Sequence, residues 1–130
     1  MTTNIRNIFI VEDEKIIRVP LADELREAGY KVQEFGDSHL ALRAVKRSQV
    51  DVVITDHKMP FMDGLELLSK IKSVKPGIPV IVITEYGAED TVIEAMKKGA
   101  YDYIEKPFEL DDMLVLLNRI KQINIHLDNE

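Results

Sequence analysis

Short runs of β-branched and aliphatic residues alternate along this chain with longer stretches in which apolar positions recur at helical spacing. The runs Ile8–Val11, Lys31–Phe35, Val52–Thr55, Val80–Thr84 and Asp102–Ile104 read as strands. The third and fourth lack polar alternation, as expected of central strands covered on both faces. Amphipathic stretches from about Glu14 to Ala28, Ser38 to Ser48, Gly64 to Lys72, Ala88 to Lys98 and Leu110 to Ile123 each follow one strand. Such alternation predicts an α/β fold, because parallel strands need a crossover and a helix usually supplies it.

Local punctuation sharpens the helix ends. Gly29 and Gly99 fit left-handed helix terminators, and Asp37 or Ser38 fits the cap of the second helix. Pro20 is the misfit: inside a helix a proline removes a hydrogen bond and costs ~3 kcal/mol, so a kink or displaced turn is expected there. At 130 residues with 45% hydrophobic content the chain suits one domain, with a structured core over about 6–123 and a polar tail over 124–130. No internal repeat or linker tract divides it, and no effector domain is expected within it.

The formal charge of -6 argues against direct nucleic-acid binding, which normally needs a basic footprint. The chain has no cysteine, which is compatible with a reducing cytoplasm, and no apolar stretch resembling a signal peptide or membrane span. A cytoplasmic protein without membrane contact is the expectation.

The polar residues at the ends of the apolar runs carry the chemistry. In a parallel sheet all strand ends of one polarity share a rim, so Glu12-Asp13, Asp56, Thr84 and Lys106 are brought to one place. Asp13 alone also suits a helix cap, and Asp56 alone a structural ion pair. Together these acids suit a hard cation, and Mg²⁺ fits best because it needs few carboxylates and leaves room for phosphate oxygens. Asp13 and Asp56 are the expected direct ligands, the Lys58 backbone carbonyl completes the protein set, and Glu12 acts through water; Mn²⁺ is a plausible substitute. Lys106 can balance the acids and bind a phosphoryl oxygen, while the Thr84 hydroxyl can donate to another. Pro107 favours an extended backbone at Lys106 and leaves both peptide isomers open. Asp56 is then an anionic nucleophile that forms an acyl phosphate.

The motifs Val11-Glu12-Asp13, Asp56-His57-Lys58-Met59-Pro60 with Asp63-Gly64, Thr84, and Lys106-Pro107-Phe108, taken in order, resemble the receiver domain of bacterial response regulators over essentially the whole chain. That resemblance implies a three-layer, flavodoxin-like (βα)5 doubly wound sheet of strand order 2-1-3-4-5. It implies phosphotransfer to Asp56 from a histidine kinase or phosphotransfer protein in a two-component system, and an effector domain or protein downstream. It also admits a phosphorylation-dependent homodimer. The module is expected to be a switch that promotes its own phosphorylation and dephosphorylation, without turning over a metabolite. The segment Gly99–Phe108 is similar to receivers of enhancer-dependent transcription activators. By the same resemblance Tyr103 is a switch aromatic that turns inward as Thr84 moves; read by itself it is a half-buried packing residue.

Glu85 departs from the family pattern, which usually has a small residue after the threonine. It either obstructs the phosphodonor or points to solvent or a lysine, and Tyr86 beside it is a candidate modulator of water access. His39, His57 and His126 are expected to be structural or exposed, and Met59, Met62, Met96 and Met113 to be packing residues rather than ligands. Two other functions share this architecture. A nucleotide or flavin module needs a phosphate cradle after the first strand, where this chain has Glu12-Asp13-Glu14. An aspartyl phosphohydrolase usually needs a second acid two residues after its nucleophile, where this chain has Lys58. A receiver that works without phosphate is disfavoured by the intact Asp56, Thr84 and Lys106.

Overall fold

The computed structural model describes residues 5–128, with side chains described through residue 122. Strands β1 (Asn7–Val11), β2 (Lys31–Phe35), β3 (Val52–Asp56), β4 (Val80–Glu85) and β5 (Asp102–Lys106) alternate with helices α1 (Lys15–Glu27), α2 (Ser38–Arg47), α3 (Gly64–Val74), α4 (Glu89–Lys97) and α5 (Leu110–Asp128). The strands form one parallel sheet in the order β2-β1-β3-β4-β5, as the resemblance implies.

Side-chain alternation along the strands divides the core in two. Ile8, Ile10, Val52, Ile54, Ile81 and Ile83 pack with Leu21 and Leu25 of α1 and with Met113, Leu117 and Ile120 of α5. Phe9, Val11, Val53, Val80 and Val82 face the other way, against Ala41 and Val45 of α2, Leu67, Leu68 and Ile71 of α3, and Ala95 of α4. Every residue of β3 is buried, so its two covered faces explain the unbroken apolar run seen in the sequence. Truncating one of these aliphatic side chains to alanine costs about 2–5 kcal/mol, depending on how far the cavity collapses.

Gly29 and Gly99 end α1 and α4 at φ of 103° and 99°. The chain past each turns back on the helix, with Tyr30 N–H donating to Leu25 O and Ala100 N–H to Ala95 O. Asp37 caps α2 by accepting from His39 N and Leu40 N. Asp63 caps α3 through Glu66 N.

Two expectations are corrected. Pro20 lies inside α1, which runs unbroken from Lys15 to Glu27, so no turn is displaced there. The fifth helix does not end at Ile123 but continues to Asp128. Among the described residues no helix is long and apolar enough to cross a membrane.

Candidate functional site

Strand register assembles the site. Val11 lies opposite Thr55, so Glu12 at the end of β1 comes alongside Asp56 at the end of β3; Asp56 in turn pairs with Ile83, and Glu85 with Lys106. Glu12, Asp13 and Asp56 each offer a carboxylate oxygen, and these oxygens lie within 4.8 Å of one another. Glu12 and Asp56 are buried, whereas Asp13 is exposed. The N-cap of α1 is Glu14, not Asp13, and it makes no side-chain cap. Asp13 is thus free of the helix-capping role that its sequence position allowed. Glu12 Oε2 accepts from Glu14 N–H instead, at 3.1 Å.

Lys106 Nζ reaches into this cluster, 2.9 Å from Asp56 Oδ1 and 3.8 Å from Glu12 Oε1. Burial alone would lower the lysine, but the hydrogen bond and charge of Asp56, with Glu12 and Glu85, outweigh it and hold the ammonium above its ordinary range. Glu12 moves up to about 7, chiefly because burial penalises its anion. The Glu14 N–H opposes that rise, and the neighbouring Asp56 and Asp13 add to it. The Lys106–Pro107 bond is cis.

Among the described residues two buried side-chain oxygens have no hydrogen-bond partner, Glu12 Oε1 and Thr84 Oγ1. Leaving such a group unmade costs about 1–3 kcal/mol, so a water or an ion is the natural partner for each. Clustered carboxylates with an unsatisfied buried oxygen suit a hard divalent cation, and the three acids can hold one. Lys58 points its side chain to solvent, and no backbone N–H among the described residues bonds its carbonyl.

The response regulator receiver domain model matches residues 8–118. This chain belongs to that family. The receiver is 37% identical over 113 residues to the DNA-binding transcriptional regulator NtrC of Proteus hauseri, covering 87% of this chain and 24% of that protein. It is 39% identical over 112 residues to the response regulator protein FleR of Pseudomonas aeruginosa, again 24% of its length and 86% of this chain. The chain therefore spans about a quarter of these relatives. A crystal structure of a receiver domain protein from Clostridium thermocellum superposes with a TM-score of 0.89 at 33% identity, covering 95% of this chain and 99% of that one.

In the receiver, Tyr103 is half-buried and borders a cleft of about 610 Å³ with Tyr86, Val92, Ile93 and Glu105. Glu85 is exposed and lies opposite Lys106 in the sheet. Tyr86 is also exposed. His39 is exposed and His57 half-buried at a separate cleft with Met59 and Pro60; the His126 side chain lies outside those described. Met62 and Met113 are buried and Met59 packs against the core, but Met96 is exposed.

Two supporting contacts escaped the sequence reading. A Cβ on Gly64 would lie 2.1 Å from the Asp56 carbonyl oxygen, so the start of α3 presses on the backbone of Asp56. Only the Asp-Gly dipeptide at 63–64 hinted at this, and it reads equally well as an ordinary turn. Arg18 donates to the Glu12 carbonyl at 2.8 Å. Its position inside an amphipathic helix gave no signal of that bond.

Proposed function

We propose that the receiver accepts a phosphoryl group on Asp56 from a histidine kinase or phosphotransfer protein and thereby switches a protein-interaction surface. The observation that carries this reading is the Lys106 ammonium 2.9 Å from the buried Asp56 carboxylate, within a cluster of acids. An Asp56 oxygen attacks phosphorus, the bond from phosphorus to the donor imidazole breaks, and the nitrogen leaves with its electron pair. Asp13, Asp56 and the Lys58 carbonyl hold Mg²⁺ in this proposal, with Glu12 acting through water and Mn²⁺ as a substitute. The ion supplies charge neutralisation for the transferring phosphoryl group.

Lys106 then balances phosphoryl oxygens, and the unpartnered Thr84 hydroxyl donates to one of them. That pull on β4 is transmitted to Tyr103 and so to the face made by α4, β5 and α5. Phosphorylation works here by population shift; going from 1:99 to 99:1 requires about 5.5 kcal/mol of differential stabilisation. Hydrolysis of the acyl phosphate, promoted by the same residues, resets the switch. Tyr86, exposed two residues after Thr84, governs water access to that step.

The module acts through an effector domain or protein, and through a phosphorylation-dependent homodimer, to regulate transcription. With its charge of -6 the chain makes no direct nucleic-acid contact in this proposal. A cytoplasmic setting without membrane contact belongs to the same reading.

The test is intact-mass analysis after incubation with acetyl phosphate and Mg²⁺. One base-labile phosphoryl adduct is expected in the wild type and none in Asp56→Asn. Undiminished labelling of Asp56→Asn would reject the site.

A further inference from the structure

Arg18 sits in the second turn of α1 with its guanidinium turned toward the sheet rim. Its Nη1 donates to the Glu12 backbone carbonyl at 2.8 Å, and its Nε donates to Glu34 Oε1 at 3.3 Å. Glu34 is itself held by Arg26 Nη1 at 3.1 Å, so β2 anchors the guanidinium. On the other side of the same residue, Glu12 N–H donates to Phe35 O at 2.9 Å. The Glu12 carbonyl belongs to the peptide that joins Glu12 to Asp13. Both acids therefore leave a peptide whose position is fixed from β2. Space for the guanidinium comes from Gly36, where a Cβ would stand 2.9 Å from Arg18 Nη1. The Arg18 side chain is only 16% exposed, so it is a packed connection rather than a solvated charge.

We propose that Arg18 is a positioning residue for the acidic cluster: by clamping the Glu12 carbonyl to β2 it sets the direction in which Asp13 is presented beside Asp56. The inference rests on the magnesium reading above, and it makes a prediction of opposite sign to simple electrostatics. A cation near a cation site weakens metal binding by repulsion, so removing its charge should tighten binding. Removing a clamp loosens binding, because ligands held out of position cost affinity; supporting partners of metal ligands are typically worth about 10–100-fold.

The experiment is Mg²⁺ titration of the full chain by calorimetry, alongside the Mg²⁺-induced rise in melting temperature, for wild type, Arg18→Met, Arg18→Lys and Gly36→Ala. Arg18→Met is expected to bind Mg²⁺ about tenfold more weakly. Arg18→Lys keeps the charge but loses the fork, and Gly36→Ala keeps every charge while pushing the guanidinium aside; both should lose affinity to a smaller degree. Phosphoryl labelling of each variant should recover at saturating Mg²⁺. Unchanged or tighter binding in the variants, with wild type binding normally, overturns the clamp and leaves the magnesium reading standing. Absence of Mg²⁺ binding in wild type overturns both. If Arg18→Met fails to fold, the two charge-conserving variants decide the matter.

Discussion

At Phe61 the loop between β3 and α3 adopts φ of 70°, a conformation that a bulky L residue enters only with strain, and the ring is 93% exposed. The loop tolerates this because it must return the chain so that Gly64 can settle on the Asp56 carbonyl. Phe61→Gly should therefore stabilise the protein by about 1 kcal/mol in denaturant unfolding; a loss of stability would mean that the exposed ring makes contacts worth more than the strain. Gly64→Ala should act in the opposite direction. Its new Cβ collides with backbone, so a loss of about 3 kcal/mol or failure to fold is expected. Glu85 gives a kinetic prediction. It is exposed opposite Lys106 and its negative charge reaches that lysine, so Glu85→Ala should be phosphorylated faster by acetyl phosphate than wild type; equal labelling rates would remove Glu85 from the entry path. The meeting of Glu12, Asp13, Asp56 and Lys106 was legible in sequence because each follows an apolar run, and strand ends of one polarity meet. Gly64 and Arg18 were not, since their contacts depend on the distance between chain segments rather than on any local pattern.

Elements were legible where periodicity was strong, and their ends were not. β3, β4 and β5 run on through Asp56, Glu85 and Lys106, beyond the expected boundaries. Hydrophobic pattern cannot detect such extensions, because the last residue of each strand is charged for the sake of the rim. α5 passes Ile123 into polar sequence because neither glycine nor proline interrupts it, and the described residues reach Asp128 as helix. Pro20 failed as a helix breaker for a different reason: packing of Leu21, Ala22 and Leu25 into the core outweighs one missing hydrogen bond. The cost is still present in the folded state. Pro20→Ala is expected to raise unfolding stability by about 1 kcal/mol or more, less than the full helix penalty because the unfolded chain regains freedom. A decrease would indicate that the exposed ring or its restriction of the unfolded chain matters more.

For the whole molecule, the acidic cluster couples stability to pH and metal. Glu12 titrates near 4.5 when unperturbed and at about 7 in the fold, so the folded protein holds that proton more tightly. Its contribution to stability is fully present below about 4.5 and is lost as pH rises through about 7. Metal-free protein should accordingly lose melting temperature over that window, and Glu12→Gln should flatten the fall. A wild-type profile as flat as that of Glu12→Gln would contradict the assignment. Adding Mg²⁺ above neutral pH should restore stability, by about 2.7 kcal/mol when its concentration is a hundred times its dissociation constant.

The sheet order also makes the site a record of assembly. β5 is an edge strand bonded only to β4, while Asp56 lies on β3, flanked by β1 and β4. A molecule whose edge strand has peeled away retains the Asp56 carboxylate but loses the Lys106 ammonium that neutralises it. The same is true of a nascent chain that has not yet released Lys106 from the ribosome. The charge balance of Asp56 thus depends on β5 being docked on β4, and it is complete only when the last strand of the sheet is in place.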